Sequence, residues 1–184
     1  MELLYTRKLI MEKKKLVWTI GHSTRSIDEF LQILRSFSIK ALADVRNFPG
    51  SRKFPQFNSD SLAASLRKAD IGYFHFKELG GRRKPLPDSI NTNWRNSAFR
   101  GYADYMQTDE FKKAVIQLEM LASESRTAFM CSEAVWWSCH RSLIADYLKA
   151  NGWTVWHIMN AGKETEHPFT SPARVENGVL SYSE

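Results

Sequence analysis

The sequence is poor in cysteine and has no long apolar run. No stretch approaches the roughly 20 consecutive apolar residues of a membrane span, so a membrane partner is not expected. With 2 cysteines in the chain, a disulfide framework is excluded as the source of stability. The opening residues, MELLYTRKLIMEKKKLVW, have neither a continuous apolar core nor a small-residue cleavage site, so they do not read as a secretory signal. Few cysteines and no such signal together point to the cytoplasm. Three motifs are also absent: the phosphate-binding pattern G-x-x-x-x-G-K-[ST], any C-x-x-C pair, and the phosphatase loop, since Trp137 stands six positions after Cys131 where an arginine is needed. Internal repeats, low-complexity tracts and Gly-, Ser- or Pro-rich linkers are missing as well.

What remains describes an ordinary globular chain. Its 184 residues are 43% hydrophobic and 25% charged. That length fits one domain, which buries roughly 70% of the surface its unfolded chain exposes. Residues 1–15 read as a flexible N-terminal extension, and 16–184 as a single α/β domain. The formal net charge of +6 favours anionic partners: a phosphate-containing small molecule or nucleic acid.

From Leu16 onward, apolar runs alternate with helical patterns. LVWTIGHS, IKALADVR, IGYFHF, TAFMCSE and WTVWHIM have strand character. Between them, SIDEFLQILRSF opens with a capping box at Ser26 and Glu29. SDSLAASLRKA, TDEFKKAVIQLEML (capped by Thr108) and WSCHRSLIADYLKAN, stopped by Gly152, complete the helices. LGGRRKPLPDSINTNWRNSAFR shows no period and reads as a long functional loop. Asn177-Gly178 predicts a short C-terminal hairpin or edge strand. Five alternations of strand and helix argue for a three-layer αβα fold around a mostly parallel sheet of about five strands.

In such sheets ligands sit at the carboxyl ends of the strands. There the sequence places Gly21-His22-Ser23, Asp44 with Arg46, Glu78 with Gly80-Gly81-Arg82-Arg83, Cys131-Ser132-Glu133, and His157. His22, Asp44, Cys131, Glu133 and His140 are the candidate catalytic residues. Cys131 suits a nucleophile, and Glu133 or His140 a proton carrier. Ser23, Arg46, Gly80, Gly81, Arg82, Arg83, Cys139 and Arg141 are the candidates for binding substrate. Glycines before arginines expose amides and fixed charge to a phosphate, and Cys139-His140-Arg141 opens a helix, where anions are favoured. Each has a structural alternative: Asp44 and Arg46 share one strand face and can pair with each other, and both cysteines can be small buried packing residues. Zinc on Cys131, Cys139 and one or two histidines is a third possibility, although no metal is expected from the spacing alone. Trp94, Phe99, Phe48, Phe54, Phe57, Trp136 and Trp137 either stack bases or close the core over loops.

The motifs TIGHS, DVRNFPGSRKFPQF, LGGRR, MCSEAVWWSCHRSLIA and a late HPFT…AR…G.LSY, in this order, resemble the domain-of-unknown-function 488 family from about Trp18 to Tyr182. The resemblance implies a cytoplasmic bacterial or archaeal protein; some members carry a DNA-repair label. It adds Ser51 and His167 to the binding candidates and supplies no reaction. The function that follows is an enzyme with a strand-end pocket for an anionic, nucleotide-like or nucleic-acid substrate, acting by hydrolysis or group transfer. The alternatives are a non-catalytic nucleic-acid-binding protein and a Cys/His metal or redox sensor.

Overall fold

The computed structural model describes residues 15–183. The expected N-terminal extension lies outside them, save for Lys15, whose carbonyl accepts from Thr154 N at 2.8 Å.

Among the described residues, eight strands and five α-helices follow one another: β1 (Leu16–Gly21), α1 (Ile27–Ser36), β2 (Ala41–Asp44), α2 (Ser59–Lys68), β3 (Gly72–His75), α3 (Ser97–Tyr105), α4 (Asp109–Glu124), β4 (Thr127–Cys131), α5 (Arg141–Ala150), β5 (Thr154–Asn160), β6 (Lys163–Glu166), β7 (Arg174–Glu176) and β8 (Val179–Ser181). The main sheet runs β3-β2-β4-β1-β5-β6. Its first five strands are parallel, and β6 adds an antiparallel edge. The expected αβα class and the C-terminal hairpin, β7-β8, are both present. Asn177 and Gly178 turn that hairpin at φ 50° and 77°, which a two-residue primed turn requires. β6 went unpredicted because Lys163–Glu166 is exposed throughout and has no apolar alternation.

The period of two along each strand divides the core. Trp18, Ile20, Leu42, Ala128 and Met130 pack under α1 and α2. Val17, Ala43, Val45, Phe129, Cys131 and Val155 pack under α3, α4 and α5. Helix starts follow their caps: Ser26 Oγ accepts from Glu29 N, and Thr108 Oγ1 from Phe111 N. The Glu29 side chain faces Arg25 Nε at 3.5 Å, so the ion pair replaces the reciprocal half of the capping box.

The expected long loop ends sooner than its sequence implies, because α3 begins at Ser97, capped by Asn96. Gly101 inside that helix reads locally as a breaker. Its role is steric: a Cβ there would come within 2.5 Å of Lys84 C, so glycine lets the 83–85 backbone cross the helix. No described helix is long and apolar enough to cross a membrane.

Candidate functional site

The carboxyl ends of β1, β2 and β4 open into a cavity of about 660 Å³. Of the predicted site residues, His22, Ser23, Arg46, Ser51, Gly81, Arg82, Cys131, Glu133, Cys139 and His140 line it. Asn47, Phe48, Phe54, Ala98, Phe99, Ser132 and Ser138 also contribute; of these the sequence singles out Phe48, Phe54, Phe99 and Ser132, but not Asn47, Ala98 or Ser138. Ala98 and Phe99 are distant in sequence and arrive only because α3 folds across the strand ends.

Beneath one wall lies a saturated ion pair. Asp44 Oδ1 accepts from Arg46 N at 3.1 Å and from Nε at 2.8 Å; Oδ2 accepts from Nη2 at 2.6 Å and from Tyr73 Oη at 2.7 Å. Asp44 is fully buried and does not line the cavity. Four hydrogen bonds occupy its lone pairs, so its part is to fix Arg46. Arg46 Nη2 also donates to the Phe57 carbonyl, and Nη1 faces His22 Nε2 at 3.4 Å. His22 Nδ1 lies 2.9 Å from the Ser23 carbonyl and therefore carries the ring proton, while the ring stacks on Phe57 at 4.2 Å. Burial, reinforced by the Arg46 charge, lowers the His22 pKa, so at neutral pH the ring is uncharged with its lone pair on Nε2.

The opposite wall holds the two cysteines, both free and buried. Cys131 ends β4. Cys139 is extended (φ −131°, ψ 144°), just before His140, the N-cap of α5. His140 Nε2 donates to the Val45 carbonyl at 3.0 Å, which leaves Nδ1 as the lone-pair nitrogen. That nitrogen lies 3.7 Å from Cys139 Sγ and 4.0 Å from Cys131 Sγ. The three donor atoms lie within 4.8 Å of one another, a set that can hold a metal ion. The hydrogen bond from Cys139, helped by the Arg141 charge, holds the Cys131 thiol well below its ordinary pKa against the effect of burial. Burial and the neighbouring Cys131 push Cys139 well above.

Arg141 begins α5 and is 2% exposed. Its Nη2 donates to the Ala134 carbonyl at 3.2 Å, while Nε and Nη1 have no hydrogen-bond partner among the described residues. A buried guanidinium in that state calls for negative charge nearby. Burial lowers the Arg141 pKa, and the neighbouring Cys139, Cys131 and Glu133 oppose that shift. Gly21 makes this packing possible: a Cβ there would come within 2.7 Å of Arg141 Nη1.

Asp44 and Arg141 do not line the cavity, and three further predicted residues are placed elsewhere. Arg83 turns from the cavity, its guanidinium 3.6 Å from the Tyr105 ring centroid and bonded to the Gly80 and Glu78 carbonyls. Gly80 packs against Asn47 without facing the cavity. His167 is fully buried in a second cluster, as is His157 at 1% exposure. There Thr19 Oγ1 meets His157 Nδ1 at 2.7 Å, His157 Nε2 meets His167 Nδ1 at 2.8 Å, and His167 Nε2 meets Asp146 Oδ1 at 2.9 Å. Thr170 N, Thr170 Oγ1 and Tyr182 Oη also donate to Asp146. Trp136 lies flat over His157, with centroids 4.3 Å apart and planes within 3°. Nothing in local sequence links these residues, which come from β1, α5, β5 and the segment after β6.

Several of the loop aromatics pack on neighbouring rings. Phe57 and Trp136 cover histidines, and Trp94 packs on Phe99 and Tyr182. Phe48, 69% exposed, stands free at the cavity rim.

The family model described as "Domain of unknown function DUF488" matches residues 26–148, two thirds of the chain. No curated protein and no solved structure matches it.

Proposed function

This chain belongs to the DUF488 family, and from that premise we propose that it is an enzyme. It takes an anionic, nucleotide-like or nucleic-acid substrate into the strand-end cavity and acts by hydrolysis or group transfer. The observation that carries this reading is the convergence on one cavity of a Cys131–Cys139–His140 cluster, a neutral His22, Glu133 and the guanidinium of Arg82. Arg82 forms no salt bridge among the described residues, so its charge is available to a phosphate. Phe48 at the rim supplies a face on which a base can stack. His22 Nε2 and the Glu133 carboxylate are the proton carriers, and the cysteine–histidine cluster is the reactive centre. Free thiols fit a reducing compartment, in keeping with a cytoplasmic enzyme.

The test is binding of nucleoside monophosphates and a short single-stranded oligonucleotide to the full chain over a range of salt. Arg82→Ala is expected to weaken phosphate-bearing ligands about tenfold, close to 1.4 kcal/mol. Turnover of a bound ligand should vanish in Cys131→Ser. Binding that survives Cys131→Ser with no turnover by the native chain would make the protein a nucleic-acid reader. No binding of any phosphate-bearing ligand would overturn the reading altogether.

A further inference from the structure

We propose that Cys131, Cys139 and His140 form a zinc-type metal centre with one coordination position open to the cavity. The inference deepens the proposed function, on which the catalytic use of that position rests. A tetrahedral zinc, with bonds of about 2.3 Å to sulphur and about 2.0 Å to nitrogen, sets S and N roughly 3.6 Å apart and two sulphurs roughly 3.8 Å apart. Separations of 3.7 and 4.0 Å from the two sulphurs to Nδ1 need only a few tenths of an ångström of adjustment, and the two sulphurs, within 4.8 Å of one another, would close by up to about 1 Å on binding. The imidazole is already oriented for ligation, with Nε2 tied to the Val45 carbonyl and the lone pair of Nδ1 directed at the sulphurs. Tying the distal ring nitrogen to a carbonyl is the usual way a ligating histidine is held.

Two further observations point the same way. A Cβ on Gly81 would stand 2.7 Å from His140 Nδ1, so the backbone passes the ligand nitrogen at the one place where only glycine leaves space. Behind the cluster, Arg141 buries a guanidinium whose Nε and Nη1 have no partner among the described residues. Two metal-bound thiolates would supply negative charge to this guanidinium, which forms no salt bridge among the described residues. Two thiolates and one imidazole select zinc among the abundant divalent ions, because oxygen-seeking magnesium and calcium are poorly served by sulphur. Three protein ligands leave a fourth position, and since all three line the cavity, it faces the site where substrate would sit. A metal there can polarise a phosphoryl oxygen or a bound water.

The experiment is titration of the reduced, metal-free full chain with cobalt(II), followed by competition with zinc(II). One equivalent is expected to bind, with the thiolate-to-cobalt charge-transfer band and the intense visible bands of a tetrahedral ion. Cys139→Ser and His140→Ala should each weaken binding at least about 100-fold. Gly81→Ala, which removes no ligand, should weaken it about tenfold. If a ligand variant fails to fold, as judged by circular dichroism, the Gly81→Ala comparison still decides. Absence of a cobalt–thiolate band in the folded native chain overturns the proposal, as does affinity unchanged by both Cys139→Ser and Gly81→Ala. Phosphate-ligand binding by the metal-free chain separates the two claims. Nucleotide binding with no metal leaves the proposed function standing alone, and metal binding with no affinity for phosphate leaves the metal centre alone.

Discussion

Two histidine clusters lie on the α5 side of the sheet, and they are finished to different degrees. In the sealed one, Thr19, His157, His167 and Asp146 form an unbroken chain, and Asp146 accepts from three side chains and a backbone amide. In the open one, among the described residues, His140 Nδ1 meets only two distant sulphurs and Arg141 keeps two nitrogens without partners. His140 is half-buried where the sealed cluster is fully buried, and hydrogen-bond satisfaction differs as well. A buried polar group with its partners in place stabilises a fold; one left short of partners costs stability and marks where a ligand belongs. Trp136 joins the two, since it roofs His157 and lies between Cys131 and Cys139 in the chain.

The largest test of this contrast is Asp146→Ala. It strips four hydrogen bonds from one buried carboxylate site and leaves His167 and Tyr182 without acceptors. A loss of about 3–5 kcal/mol is expected in urea denaturation. Trp136→Ala should cost about 2 kcal/mol, less than a fully buried tryptophan because its ring is only partly covered. If Trp136 links the clusters, the same variant should also change the rate at which a thiol reagent modifies Cys131. An unchanged rate would show that the clusters are independent.

A pH profile gives the next effect. Burial, then the charges of His167 and Arg141, push His157 down to about 2. Above pH ~6.5 neither the folded nor the unfolded chain protonates it, and its contribution is complete. Below that the unfolded chain takes up a proton that the folded chain refuses, so stability falls with pH by about 1.4 kcal/mol per unit. Urea midpoints between pH 7 and 5 should show this slope, and His157→Gln should flatten it. The smallest effect belongs to the open cluster's rim. Glu133 is exposed and makes no salt bridge among the described residues, so Glu133→Gln should move stability by no more than about 0.5 kcal/mol. Any turnover should drop in the same variant. A stability loss above about 1 kcal/mol would place Glu133 with the structural residues.

Local signals were enough for the class of fold. Short apolar runs marked β1, β2, β4 and β5, caps marked α1 and α4, and Asn177-Gly178 marked the hairpin. Because a parallel sheet puts its strand ends on one rim, His22, Arg46, Cys131 and Glu133 could be grouped from sequence alone. Tertiary structure decided how those residues divide. Asp44 is spent on Arg46, and Arg83 is drawn off to Tyr105. His157 and His167 leave the rim for Asp146, while Cys139 and His140 close on Cys131. Gly101, a breaker by propensity, sits inside α3 because another segment's backbone crosses there. The reason is common to all of them. Propensity and periodicity act over a few residues, whereas a hydrogen-bond partner, a counter-charge or a steric gap arrives from a strand or helix tens of residues away, and only the folded chain brings it into place.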